Sequence, residues 1–444
     1  MQKALRKLMR VNEGECWLVL ILGLILFSNA VAQQIAGIVS VAGFITSGGP
    51  NGVLLIWIID MTLILVISGM QSLVVDRFNR LKMARIMLIA FALIYLLLRV
   101  MFALNVPEQV IYAVMFIFAD VQFIVFPLIF WVMASDITDV AQAKRIFPVI
   151  GGASFGGKLV GIAIAFSAPT LLKNFGINTE EVLTFNIILY LLTVVVAWFG
   201  LRNTHPQRTV VVKSESIKET VATGWEFVWN VPAFRFLMLA VLAVSVSLTV
   251  NEFRFLVVSK ATFNTRESYQ SFYSLYRLAI TLASMFTQGF ITSRILDRIG
   301  LRRVFFLLPI SLLGGGLWMI GQPNIIGVLG GMFIPKWLQK TVDESGMNSI
   351  QGLVPEEKRG RVSSFIKSYP PALGTILGAI LIGIILITGN NAWNVYAYLS
   401  IGVLASILAI VFIYEMYRTY DVSLLNWRMK RRQRGASVAS RLDF

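Results

Sequence analysis

The segments Ser72-Leu-Val-Val-Asp-Arg-Phe-Asn-Arg-Leu-Lys82 and Ser293-Arg-Ile-Leu-Asp-Arg-Ile-Gly-Leu-Arg-Arg303 are near-copies, each a charged hinge between two long apolar runs. Their Asp-Arg pairs, Asp76-Arg77 and Asp297-Arg298, lie 297 − 76 = 221 residues apart in a chain of 444. A repeat at half the chain length predicts two equivalent halves in tandem, a construction used by membrane transporters that rock one half against the other around a midplane site. Asn29 and Asn251, 222 apart, and Lys144-Arg145 and Lys358-Arg359, 214 apart, echo the same period.

The apolar runs have the length a bilayer demands. With 57% hydrophobic residues, 14% charged residues and a mean hydropathy of +0.75, the chain is too apolar for a soluble domain of its size. Runs of about 20 residues cross ~30 Å of hydrocarbon at 1.5 Å per residue, and backbone in lipid must satisfy its own polar groups, so the runs are helices. Twelve are expected, at 17–44, 52–75, 84–104, 109–134, 146–171, 182–201, 235–258, 270–293, 304–321, 325–352, 362–387 and 395–416. The predicted fold class is an all-α membrane protein with two pseudo-symmetric six-helix halves, residues 1–201 and 235–416. A cytoplasmic linker (202–234) and a basic cytoplasmic tail (417–444) complete it.

Orientation follows from Lys and Arg in the connections. The N-terminus, the stretches 76–85, 135–145, 202–235, 294–303 and 354–361, and the tail hold 29 of the 39 Lys and Arg. Both termini are therefore expected in the cytoplasm, with the protein in the cell's inner (plasma) membrane as a monomer. The net charge of +16 is thus mainly topology, and no nucleic-acid partner is expected. The lipid bilayer is the partner that the basic tail Arg428-Met-Lys-Arg-Arg-Gln-Arg434 would touch.

Catalytic material is scarce. One cysteine, Cys16, and one histidine, His205 in the linker, leave no disulfide, no metal cluster and no Ser-His or Cys-His nucleophile within the runs, so neither an enzyme nor a cofactor is expected. The first run is too long for a cleavable signal peptide. In the linker, Ile217, Val221, Trp225 and Val228 recur at helical spacing and predict an amphipathic helix on the cytoplasmic surface.

Charge inside a spanning helix costs ~2.5–3.5 kcal/mol on insertion scales, so such residues face a cavity, a partner or a substrate. Asp120 in the fourth run, Lys158 in the fifth and Lys336 in the tenth fall near mid-depth. Lys158 lies in Gly156-Gly-Lys-Leu-Val-Gly161, where glycines allow close helix approach, and Asp120 is the carboxylate expected to neutralise Lys158 or Lys336. Trp337 adds a ring beside Lys336, able to stack a base or to pack. The seventh run carries Asn251, Glu252 and Arg254 and the eighth Arg277; Glu252 or Arg254 is expected to reach Arg277 or Asp60. Lys340, Asp343 and Glu344 form a more cytoplasmic group. Cations outnumber acids, which favours an anionic small-molecule substrate bound by Lys158, Lys336, Asp120, Trp337, Asn29, Asn251, Glu252, Arg254 and Arg277, with Asp76, Arg77, Asp297 and Arg298 gating. Prolines at 127, 148, 335, 370 and 371 mark where helices can bend. No ATPase motif is present, so a gradient or exchange would drive transport. A proton-coupled carrier using Asp120, Asp60 or Glu252, for a drug, sugar or lysolipid, is the alternative.

The two Asp-Arg hinges, with Pro355-Glu-Glu-Lys-Arg-Gly-Arg361, resemble the loop signatures of the major facilitator superfamily. Phe130-Trp131, Ala134, Ile137-Thr138, Val140, Ala143-Lys-Arg-Ile-Phe-Pro148 and Gly151 are similar to one region of the ATP/ADP carrier family of plastids and intracellular bacteria. That resemblance implies nucleotide antiport by alternating access. Where the carriers have Asp-Pro-Thr-Lys-Glu-Met, this chain reads Val342-Asp-Glu-Ser-Gly-Met347, and Ser345 stands in place of the lysine tied to exchange.

Overall fold

The computed structural model describes residues 15–75, 80–174, 181–202, 217–350, 354, 356–388 and 391–439. Its helices are α1 (Cys16–Gly48), α2 (Val53–Val75), α3 (Arg80–Ala103), α4 (Glu108–Asp136), α5 (Val140–Asn174), α6 (Val182–Gly200), α7 (Ile217–Asn230), α8 (Pro232–Thr262), α9 (Arg266–Phe290), α10 (Thr292–Ile299), α11 (Leu301–Val304), α12 (Leu307–Gly321), α13 (Ile325–Leu338), α14 (Glu344–Ile350), α15 (Glu356–Thr388) and α16 (Asn391–Ala439). A π-helical segment, Gln339–Asp343, joins α13 to α14. Among the described residues there is no strand.

Among the described residues, ten helical segments are long and apolar enough to cross a membrane. Two expected runs are helical but fall outside that set. The run at 270–293 lies in α9, where Glu267, Gln270, Ser274, Arg277, Thr281, Ser284 and Gln288 recur every three or four residues as one polar stripe. The run at 325–352 is interrupted by the π segment. Turns between spans use residues suited to left-handed backbone: Gly49 (φ 75°) ends α1 ahead of Pro50, and Asn105 (φ 54°) separates α3 from α4.

The helices gather into two compact units. Unit 1 comprises Met1–Ile56, Leu73–Ser214 and Phe263–Leu282; unit 2 comprises Trp57–Ser72, Glu215–Thr262 and Ala283–Phe444. Relative to the chain's midpoint, each unit takes in one segment from the other half.

In unit 1, α5 presses on α1 through Gly157 and Gly161. A Cβ on Gly157 would meet the Phe27 carbonyl and stand 2.9 Å from the Ala30 Cβ, and one on Gly161 would stand 2.6 Å from the Val31 carbonyl oxygen and 2.9 Å from the Gln34 Cβ. In unit 2, α15 presses on α8 in the same way. A Cβ on Gly374 would stand 2.5 Å from the Leu242 carbonyl oxygen and 2.6 Å from the Ser245 Cβ, and one on Gly378 would stand 3.0 Å from the Thr249 Cβ and 3.3 Å from the Val246 carbonyl oxygen. Small residues four apart let two backbones touch, which gives dispersion contact where lipid supplies no hydrophobic drive.

These contacts fix which residues correspond. The offset is 242 − 27 = 215 along α1 and α8, and 374 − 157 = 217 along α5 and α15. Asn29 and Asn251, 222 apart in sequence, are therefore not structural equivalents, which corrects that echo. They sit seven residues out of register on the same helix face, because seven residues advance an α-helix by nearly two turns.

The linker helix α7 belongs to unit 2. Val228 is buried with Phe234, Leu237, Phe365 and Ile366, and Gly224 lies against the Phe365 ring. Trp225 and Trp229 stack at 5.2 Å on its outer side and stay exposed. Burial on one face and exposed indoles on the other suit a helix in a membrane interface.

Candidate functional site

The polar residues within the helices fall into three environments. The first is a buried cluster in unit 1. Gln122 of α4 and Tyr190 of α6 both donate to Asn29 Oδ1, at 3.0 and 2.8 Å. Tyr95 of α3 donates to Gln122 Oε1 at 2.8 Å, and Asn186 Nδ2 donates to the Ala32 carbonyl at 3.2 Å. Tyr95 and Tyr190 stack at 5.7 Å. The Asn29 side chain thus ties α1 to α4 and α6 inside its own unit. Gln122, Tyr95, Tyr190 and Asn186 were not among the residues read from sequence, although a glutamine two residues from Asp120 in an apolar run was a visible signal.

The second environment is the interior of unit 2. Asn251 Nδ2 donates to the Leu312 carbonyl at 3.4 Å, and its Oδ1 faces Gly316 and Gly402, each of which would place a Cβ 3.6 Å away. One turn on, Arg254 is 8% exposed. Its guanidinium donates to the Pro323 carbonyl at 3.3 Å and to the Tyr398 hydroxyl at 3.5 Å. Arg254 therefore joins α8 to the entry of α13 and to α16, and its guanidinium partners are Pro323 and Tyr398, where the sequence suggested Asp60.

The third environment holds the mid-helix charges. Lys336 Nζ stands 2.8 Å from Glu252 Oε2, with side chains 23% and 31% exposed. Lys336 lies 336 − 325 = 11 residues into α13, about 17 Å from its start, and Glu252 lies 10 residues before the end of α8, about 15 Å. The carboxylate on Lys336 is thus Glu252 of its own unit, where the sequence offered Asp120 to either Lys158 or Lys336. Half-buried Asp120 lies 12 residues into α4, about 18 Å. Lys158, also half-buried, places its ammonium 5.0 Å from the Phe155 ring.

Beside Lys336 the helix geometry changes. Trp337 Nε1 donates to Thr287 Oγ1 at 2.9 Å, so its indole edge is anchored to α9. The π segment that follows frees a carbonyl from the helix ladder, and the Lys340 carbonyl accepts from Gln288 Nε2 at 2.8 Å. Asp343 and Glu344 close that segment.

Ion pairs at helix ends fasten unit 1. Arg80 of the first hinge pairs with Asp136 at 2.6 Å, and Arg145 with Glu15 at 2.6 Å, at one end of the helices. At the other end Arg99 pairs with Glu181 and Arg266 with Glu108. The Arg99 guanidinium donating to Glu181, just outside α6, holds that carboxyl below the usual carboxylate range, with Thr184 as a second donor at 2.9 Å. Asp297 and Arg298 lie exposed at the end of α10, while Asp76 and Arg77 fall outside the described residues. Among the described residues no His/Cys/Asp/Glu group could hold a metal.

The family model of the Major Facilitator Superfamily matches residues 22–369. The fold is similar to that of the nucleoside transporter NupG (TM-score 0.63, 14% identity, 91% of this chain and 100% of that one). It is equally similar to a bacterial homologue of the iron transporter ferroportin in an inward-facing state (TM-score 0.63, 14% identity, 91% and 100%). A third likeness is to an auto-inhibited POT family peptide transporter (TM-score 0.58, 14% identity, 93% and 96%). No curated protein matches the sequence.

Proposed function

This chain belongs to the major facilitator superfamily, and on that premise we propose that it is an alternating-access carrier of an organic anion, with nucleotides and other phosphorylated metabolites leading. Secondary transport, and not enzymatic catalysis, is the property that goes with the family and fold. The single observation that carries the anion reading is the Glu252–Lys336 pair. An ion pair between residues 11 into α13 and 10 before the end of α8, with both partners still reached by water, is suited to exchange: an incoming anion competes with Glu252 for the ammonium. Trp337 beside Lys336 in unit 2, and Lys158 and Asp120 in unit 1, are the further substrate-binding candidates of their own units, while Asn29, Asn251 and Arg254 hold the helices that carry them. Asp76, Arg77, Asp297 and Arg298 bias the conformations from the cytoplasmic side, on which both termini of this monomeric plasma-membrane carrier lie.

A thermal-shift screen of the purified protein tests this. A ligand that binds only the folded state stabilises it by RT ln(1 + [L]/Kd). Stabilisation by ATP, ADP or sugar phosphates, and not by adenosine or glucose, is the expected result; stabilisation by neutral ligands alone overturns it. A second reading, proton-coupled transport of a drug, sugar or lysolipid, is favoured by Asp60, a carboxylate wholly buried in apolar α2. Uptake that rises as external pH falls, and that Asp60→Asn abolishes, would select that reading.

A further inference from the structure

The packing offset of 215 between α1 and α8 sets Glu252 against residue 252 − 215 = 37, which is Gly37. In unit 2 this place bears a carboxylate, and a lysine is paired with it. In unit 1 it bears no side chain, and a different cation occupies the space. A Cβ on Gly37 would stand 3.0 Å from Arg277 Nη2. Arg277 lies 11 residues into α9, about 17 Å, and Gly37 lies 11 residues before the end of α1, so both are deep in their helices.

The Arg277 guanidinium lies 5.6 Å from the Tyr273 ring, and its buried Nε has no acceptor. Among the described residues it makes no ion pair, unlike Lys336. A guanidinium offers five N–H donors and no acceptor, and its planar fork matches carboxylate and phosphate oxygens in pairs. Beside an aromatic ring deep in a helix, with a buried Nε that has no acceptor, such a group calls for an oxyanion.

We propose that Gly37 and Arg277 form an oxyanion subsite in unit 1, where the carboxylate or phosphate of the substrate takes the place that Glu252 takes in unit 2. The subsite rests on the anion reading above. Gly37 is its specificity-determining residue: a side chain there displaces the guanidinium, and an acidic one satisfies it permanently. No bond is made or broken.

The experiment uses the full-length protein in detergent with ATP, glucose 6-phosphate, succinate and inorganic phosphate as probes, read by thermal shift and by equilibrium binding. Arg277→Gln weakens whichever anions stabilise the wild type by at least about tenfold, and Arg277→Lys, which keeps the charge but loses the fork, restores part of that loss. Gly37→Asp also lowers anion affinity at least about tenfold while raising the melting temperature of the ligand-free protein, because the new carboxylate pairs Arg277. Gly37→Asn, of the same size and neutral, has the smaller effect. Equal losses in Gly37→Asp and Gly37→Asn assign the effect to bulk and overturn the carboxylate mimicry. Wild-type affinity in Arg277→Gln overturns the subsite and leaves anion transport standing, whereas a wild type that no anion stabilises overturns both. Should Gly37→Asp fail to fold, the two Arg277 variants decide alone.

Discussion

Helices α1 and α5 in unit 1 and α8 and α15 in unit 2 meet through matching glycines, yet their polar residues do not match. Gly157 and Gly161 correspond to Gly374 and Gly378 to within the backbone atoms they touch. At the same register Gly37 corresponds to Glu252. The contact between backbones leaves little freedom, because a methyl group at any of these glycines would stand 3.0 Å or less from a carbonyl or a Cβ. Residues that face solvent or substrate carry no such constraint. The likeness thus lies in packing and not in charge.

The sharpest way to break this comparison is to fill the glycines. Gly157→Leu and Gly374→Leu should each destabilise the protein by about 3 kcal/mol or more and by similar amounts, since both force α5 from α1 or α15 from α8. Melting temperature and monodispersity in detergent check it, and a large loss in only one of them would end the structural equivalence.

The two asparagines should differ. Asn29→Ala removes the acceptor shared by Gln122 and Tyr190 and leaves buried donors unmet, for a loss of about 2–3 kcal/mol. Asn251→Ala removes one long hydrogen bond and should lose no more than about 1 kcal/mol. Equal losses by thermal denaturation would contradict the two environments described.

Next in size is the Glu252–Lys336 pair. Lys336→Gln should weaken anion binding about tenfold, about 1.4 kcal/mol, and Glu252→Gln should strengthen it by removing the competitor. Opposite signs in equilibrium binding sharpen the comparison with Arg277; weakening in both variants would make the pair structural.

The smallest effect belongs to the Glu181 carboxylate at the mouth of α6. Its ionisation is favoured in the folded protein, so its contribution is complete above the unfolded carboxylate value near 4.3 and is lost as pH falls through the lower folded value. The pair is largely solvated, and under about 1 kcal/mol is at stake. The melting-temperature gap between wild type and Glu181→Gln should narrow as pH drops below about 4. A gap unchanged by pH would mean that the hydrogen bonds, and not the charge, carry the contribution.

Sequence by itself determined the helical membrane class and the places of Asp120, Lys158, Lys336, Glu252 and Arg277 along their helices. The bilayer imposes length and apolarity locally, and counting residues along a helix gives depth. Helix 1.5 Å rises and prolines inside α4, α5, α13 and α15 were equally legible. Partners were not. Glu252 meets Lys336 because α8 and α13 share a unit, Arg254 turns to Tyr398 and Pro323, and Gln122 with Tyr190 surrounds Asn29. Only tertiary packing decides which face of each helix meets which neighbour, and only the glycine contacts reveal that Asn29 and Asn251 are two turns out of register while Gly37 answers Glu252. A sequence repeat measures residues along the chain, whereas structural equivalence is measured between backbones in contact; insertions in connecting loops separate the two.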